Sequence, residues 1–162
     1  MLRSVEPTDR ARLLQIIAEP EVATWWRRQE WERFLQPESH SYVIELAPAR
    51  QPAVVRTVGL IQFTEEPDDD YRCAAIDLFL TAEVQGRGLG PEAIRLLVRY
   101  LIDSCGHHRF VIDPAVENER AIASYRKLGF RPVGVLRRYE RVSPGVYRDC
   151  LLMDLLAEEL VD

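Results

Sequence analysis

The chain has 162 residues, 47% of them hydrophobic and 29% charged, which suits one soluble globular domain, 1–162, with a sizeable core. Its net charge of −5 and pI of about 5.3 argue against a nucleic-acid binder driven by phosphate contacts and suit a cationic small molecule. Cys73, Cys105 and Cys150 lack metal-ligand spacing and read as reduced thiols of a cytoplasmic, metal-free protein; neither a signal peptide nor a membrane span is expected from the apolar runs.

In chain order, 1–7 reads as a short strand and 8–20 as a helix. Leu13, Leu14, Ile16 and Ile17 line one side of that helix, Thr8 or Asp9 can cap it, and Pro20 ends it. Residues 21–35 form a second helical segment with Trp25, Trp26, Trp31 and Phe34. Strands at 41–47 and 54–63 pair as a hairpin around a turn at 48–53. The acidic stretch 64–71, with Glu65, Glu66, Asp68, Asp69 and Asp70, reads as a solvated loop. Residues 72–81, "RCAAIDLFLT", form a strand so apolar that both faces are expected to be buried.

A helix is expected over 91–106, where Ala93, Ile94, Leu97, Val98, Leu101 and Ile102 recur at helical spacing and Gly106 stops it. A strand follows at 107–114, with His107 and His108 as a strand-edge pair. In 118–130, Asn118 caps a helix, Arg126 and Lys127 sit at its cation-favouring end, and Gly129 closes it. Strands at 131–140 and 145–156 close the chain. The order gives an α/β fold, a mixed central sheet with helices on both faces.

Between the long strand and the third helix stands "VQGRGLGPEA", with Gly86, Gly88 and Gly90 in five positions. Bare backbone just before a helix N-terminus is a ready anion site, although a plain strand-to-helix turn fits the glycines equally well. "QGRGLG" at 85–90 matches the Q/R-x-x-G-x-G/A signature of the GNAT N-acetyltransferases, and "NERAIASYRKLGF" at 118–130 resembles the family's second signature. Both occur in order, at the junctions where the family has them. Within the family, "AIDLFL", "FVIDPAVENERAI" and the tryptophan pair in "EVATWWRRQEWERF" resemble aminoglycoside 6′-N-acetyltransferases.

The resemblance implies a GNAT fold and acetyl-CoA as co-substrate, with no metal. Main-chain groups of Leu78 and Leu80 would pair with the pantetheine arm. Gln85, Gly86, Arg87, Gly88, Leu89 and Gly90 would cradle the pyrophosphate, Pro91 giving no donor, and Asn118 would contact the cofactor as well as cap its helix. Asp77 interrupts an apolar run, where an uncompensated carboxylate is costly. It would take the proton of the attacking amine or hold the cationic acceptor; an acid bonded to neighbouring backbone or arginine is the structural alternative. Tyr125 would assist the leaving thiolate while touching the cofactor. Trp25, Trp26, Asp113 and, more weakly, Glu117 and Asp149 would face the acceptor. The expected reaction is acetylation of a cationic small-molecule amine, an aminoglycoside 6′-amine first, by a monomer or homodimer. Acetylation of a protein, peptide or metabolite amine, and a non-catalytic CoA sensor, remain as alternatives.

Overall fold

A computed structural model describes residues 1–26, 34, 40–47 and 55–161. Its strands are β1 (Leu2–Ser4), β2 (His40–Leu46), β3 (Arg56–Glu65), β4 (Ala74–Leu80), β5 (Arg109–Ile112), β6 (Arg131–Ser143) and β7 (Val146–Leu156). The helices are α1 (Arg10–Ile17), α2 (Pro20–Ala23), α3 (Leu89–Asp103) and α4 (Glu119–Lys127). The strands form a 7-stranded sheet in the order β1-β2-β3-β4-β5-β7-β6. β4 and β5 pair in parallel, whereas β1–β2, β2–β3, β5–β7 and β6–β7 are antiparallel, so the sheet is mixed as the element order predicts. By contact density the chain forms two compact units, Met1–Thr64 with Ile76–Ile94, and Glu65–Ala75 with Arg95–Asp162.

The first unit packs Leu13, Ile16 and Ile17 of α1 with Val22, Phe34, Val43, Leu60 and Phe79 into one buried cluster, against which Val5 and Trp26 lie. Gly59 on β3 lets β4 come close: a Cβ there would lie within 2.1 Å of the Phe79 carbonyl oxygen. Two expectations shift here, and a third falls outside the described residues. The first helix ends at Ile17, and Pro20 opens α2 at a position where its missing N–H is harmless. Of the expected helix over 21–35, only 21–26 and Phe34 fall within the described residues, and α2 ends at Ala23. The turn expected at 48–53 lies outside them.

Asp9 stands at the N-cap of α1 but makes no side-chain cap bond there, against the expectation. A short turn over Pro7–Asp9 precedes α1, and the Asp9 carboxylate accepts the Glu6 N–H at 2.8 Å and the Arg3 guanidinium at 2.9 and 3.1 Å. Burial works to raise the Asp9 carboxyl, but the Arg3 and Glu6 hydrogen bonds outweigh it and hold the carboxyl below its ordinary value of 3.8. A carboxylate with a lowered folded-state pKa stabilises the fold above the unfolded value and loses that contribution as pH falls through the folded one. Asp9→Asn should therefore cost about 1–2 kcal/mol at neutral pH. Urea unfolding should show the gap to wild type closing as pH drops below about 4.

The second unit buries Leu97, Val98 and Leu101 of α3, Phe110 and Ile112 of β5, Leu128 and Phe130 after α4, and Met153 and Leu155 of β7. His107 and His108 part company: His107 is buried, 2% exposed, with Nε2 at 2.5 Å from Glu65 Oε1, while His108 is exposed. Glu65 thus leaves the solvated loop to become the last residue of β3 and the partner of a buried imidazole. Glu66, Asp68, Asp69 and Asp70 are exposed as expected.

Candidate active site

The glycine loop grows out of β4 through a short turn over Ala82–Val84, anchored by the buried Val84. Thr81 N–H donates to the Val58 carbonyl on β3 at 2.8 Å, and the Gln85 side-chain amide donates back to the Leu80 carbonyl at 2.8 Å. The Glu19 carboxylate accepts the Thr81 hydroxyl at 2.7 Å and the Ala82 N–H at 2.7 Å. Gly86 and Gly88 then adopt φ of 77° and 83°, values L side chains rarely adopt. Gly88, with its carbonyl accepting Glu92 N–H at 3.1 Å, precedes α3, which starts at Leu89 rather than at Pro91. Pro91 therefore sits inside the first turn, among N–H groups that have no helical partner anyway.

The glycines are not equivalent. Among the described residues, a Cβ on Gly88 would meet no atom beyond its chain neighbours within 4 Å, so conformation, not crowding, demands glycine there. A Cβ on Gly90 would make ordinary contacts, 3.6 Å to Leu80 Cδ1 and 3.8 Å to Leu78 Cδ1. The bare backbone that matters lies at 86–88, where Gly86, Arg87 and Gly88 are all exposed; Leu89 is partly buried.

β4 divides its residues by parity. Leu78 and Leu80 face Gly90, while Phe79 joins the α1 cluster and meets the Trp26 ring edge-on at 4.8 Å. Two-residue alternation puts Asp77 on the Phe79 side. Asp77 is exposed, so the strand is not buried on both faces as its composition predicts. Thr81 N–H turns toward β3, so the main-chain groups of Leu78 and Leu80 turn the other way. The β4–β5 ladder pairs Ala74 with Phe110 and Ala75 with Val111, leaving Leu78 and Leu80 beyond it. Trp25 is exposed, and the partly buried Trp26 has an indole N–H with no hydrogen-bond partner among the described residues.

The remaining predicted residues belong to the second unit. Asn118 Oδ1 accepts the Ala121 N–H at 3.2 Å, capping α4 as the sequence predicts, and Arg126 and Lys127 occupy the last turn. Tyr125 is partly buried, its ring 6.1 Å from that of Phe130. Asp113 directly follows β5. Burial raises its carboxyl and the Glu140 charge adds to that, while a hydrogen bond with Tyr139 opposes it. Burial, helped by the Glu140, Asp113 and Glu117 charges, pushes the Cys150 thiol up to about 11. Glu117 itself is exposed. The Asp149 carboxylate is engaged in the hairpin: it accepts the Arg138 N–H at 2.6 Å where β6 bulges and Arg138 takes φ 51°. Tyr139, Glu140 and Glu19 carry no motif, so nothing in the sequence marked them.

Among the described residues no group of three or more His, Cys, Asp or Glu could hold a metal ion, and no helix is long and apolar enough to cross a membrane. A family model of the acetyltransferase (GNAT) domain matches residues 1–131. Spermidine N(1)-acetyltransferase of Escherichia coli (strain K12) is 28% identical over 156 residues, covering 94% of this chain and 83% of the relative. N-alpha-acetyltransferase RimI of Mycobacterium tuberculosis is 33% identical over 90 residues, 56% of this chain and 53% of its own. Among solved structures, a Vibrio cholerae spermidine N-acetyltransferase in complex with CoA and spermine aligns at TM-score 0.78 and 22% identity, covering 98% of this chain and 96% of that one. The ribosomal-protein-S5-alanine acetyltransferase of Vibrio fischeri aligns at TM-score 0.79 and 14% identity, covering 99% and 94%. Signatures, fold and family match agree: the chain belongs to the GNAT acetyltransferase family and is an acetyl-CoA-dependent N-acetyltransferase.

Proposed function

We propose that the acceptor is a small molecule with several positive charges, a polyamine of the spermidine type in the first reading. The observation that carries this reading is the match to a spermidine N(1)-acetyltransferase along 94% of the chain. The exposed Asp77 carboxylate on an otherwise apolar strand suits such a cation. An aminoglycoside 6′-amine is the second reading, favoured by the "AIDLFL" and "FVIDPAVENERAI" stretches. Either acceptor is a polycation, and a net charge of −5 attracts both. The enzyme works in the cytoplasm as a monomer or homodimer; its three free cysteines fit a reducing compartment.

Main-chain N–H groups of 86–90, with the N-terminal dipole of α3, hold the pyrophosphate, and Arg87 adds charge. Leu78 and Leu80 offer main-chain groups to the pantetheine arm as an added strand, except the Leu80 carbonyl, which Gln85 already occupies. A main-chain N–H on this edge donates to the thioester oxygen as negative charge develops there. Asn118 reaches the cofactor from the start of α4. The exposed Asp77 acts as a fixed negative charge that holds an ammonium, flanked by Trp25 and Trp26; Asp113 and Glu117 add further charge, and Asp149 supports the hairpin. An alkylammonium with a pKa of about 10.4 releases its proton to solvent before attack. The free amine nitrogen bonds to the thioester carbon, the C–S bond breaks, and the nitrogen gives up its second proton while the departing thiolate, supported by the Tyr125 hydroxyl, takes one up to end as free CoA.

The test is a competition assay. Acetyl-CoA is mixed with spermidine, an aminoglycoside and a basic peptide at equal concentration, and products are identified by mass. Spermidine should dominate. Dominance of the aminoglycoside selects the second reading, and dominance of the peptide overturns both.

A further inference from the structure

We propose that Glu19 is a positioning residue for acetyl-CoA binding: its carboxylate fixes the turn that carries the chain from β4 into the glycine loop. The inference rests on the reading that residues 86–90 hold the pyrophosphate.

Glu19 sits at the corner between α1 and α2, held by its own backbone. Its N–H donates to the Ile16 carbonyl at 3.0 Å, and its carbonyl accepts the Val22 and Ala23 N–H groups at 2.9 and 2.8 Å. From this corner the side chain crosses to residues 62 and 63 positions away in sequence. One carboxylate oxygen accepts the Thr81 hydroxyl at 2.7 Å; the other accepts the same hydroxyl at 3.0 Å and the Ala82 N–H at 2.7 Å. The turn over Ala82–Val84 begins with Thr81, a residue type that ordinarily caps its own turn through its side chain, yet Thr81 makes no such bond. Its hydroxyl, on a residue only 3% exposed, points to Glu19 instead, and Glu19 takes up the first N–H of the turn. The cap is therefore supplied from the α1–α2 corner, and it is ionic, which makes both bonds charge-assisted.

A local threonine cap would fix only the shape of the turn. A carboxylate anchored at the corner also fixes its direction relative to α1. Direction matters because Gly86, Arg87 and Gly88 are exposed and have little protein around them to set where their N–H groups point. An ion pair that also reaches this turn, Arg56–Glu83 at 2.9 Å, is exposed on both sides and contributes little. Losing the Glu19 bonds should thus misdirect the loop while leaving the core of the unit packed.

The experiment compares Glu19→Ala, Glu19→Gln, Thr81→Val and Gly88→Glu in the full chain. Calorimetry gives CoA affinity, initial rates give KM and kcat for both substrates, and thermal melting reports folding. Glu19→Ala should raise Kd for CoA and KM for acetyl-CoA about tenfold, with kcat and the spermidine KM changed less than about twofold. Glu19→Gln keeps an oxygen for the Ala82 N–H and should recover most of the loss. Thr81→Val keeps the shape without the hydroxyl and should show a smaller rise, about threefold. A folded Glu19→Ala protein with wild-type CoA affinity, beside a Gly88→Glu protein that has lost it, overturns the role of Glu19 and leaves the loop reading standing. Unchanged affinity in Gly88→Glu overturns the loop reading and this inference with it. A rise in the spermidine KM in place of the acetyl-CoA KM assigns Glu19 to the acceptor and overturns the positioning role. If Glu19→Ala does not fold, an unchanged acetyl-CoA KM in Thr81→Val overturns it equally.

Discussion

Gly88→Glu should abolish acetyl-CoA binding, raising Kd for CoA more than about a hundredfold. Two effects act together. Gly88 has φ of 83°, so any side chain there strains the backbone, at about 1–2 kcal/mol. The glutamate also brings a negative charge to the segment proposed to hold a pyrophosphate. A Cβ at Gly88 finds no described atom beyond its chain neighbours within 4 Å, so the first atom of the new side chain is not crowded. Gly88→Ala separates the two effects, since it keeps the strain and adds no charge; a loss of about tenfold or less is expected for it. Calorimetry with CoA on folded variants checks both, and a folded Gly88→Glu protein that binds CoA normally removes the cradle from the account.

Asp77→Asn should lower kcat/KM for a polyamine about 10- to 100-fold, mainly through KM. A charge-assisted hydrogen bond to an ammonium contributes about 1.5–3 kcal/mol, and asparagine keeps the shape while losing the charge. The proposed binding role of the exposed Asp77 sets which parameter should move. A carboxylate buried in an apolar strand would be a candidate for proton transfer, and its loss would fall on kcat. An exposed one is proposed here as a fixed charge for binding, whose loss falls on KM. The acidic limb of the kcat profile should therefore be the same in wild type and Asp77→Asn. Initial rates with spermidine across pH 5.5–9 test this. A collapse of kcat with KM unchanged, together with a flattened acidic limb, would show that Asp77 takes the proton after all.

Which features were legible in the sequence follows from how local their causes are. The Asn118 cap, the cationic last turn of α4 and the β2–β3 hairpin depend on neighbours along the chain and were readable from it. The glycine loop was readable as a loop, but the sequence could not separate Gly88, required by its backbone angle, from Gly90, where a methyl group fits. Composition misjudged β4: alanines and leucines predicted burial on both faces, yet Asp77 reaches solvent. His107 looked like half of a strand-edge pair until the end of β3 brought Glu65 to it across 42 residues. Glu19 was invisible for the same reason. Its three hydrogen bonds reach a turn more than sixty positions away, and a single glutamate before a proline carries no periodicity or motif.

Acceptor charge should govern turnover in the wild-type enzyme. kcat/KM is determined with acetyl-CoA and three acceptors: spermidine, an aminoglycoside and a monoamine of similar reach. CoA release is followed at the thiol, and the acetylated product by mass. One CoA should be released per acetyl group transferred, and at least one polycation should be favoured over the monoamine by tens-fold or more, about 2 kcal/mol or above in transition-state binding. Equal kcat/KM for the monoamine and both polycations, or CoA release without an acetylated amine, would contradict this reading.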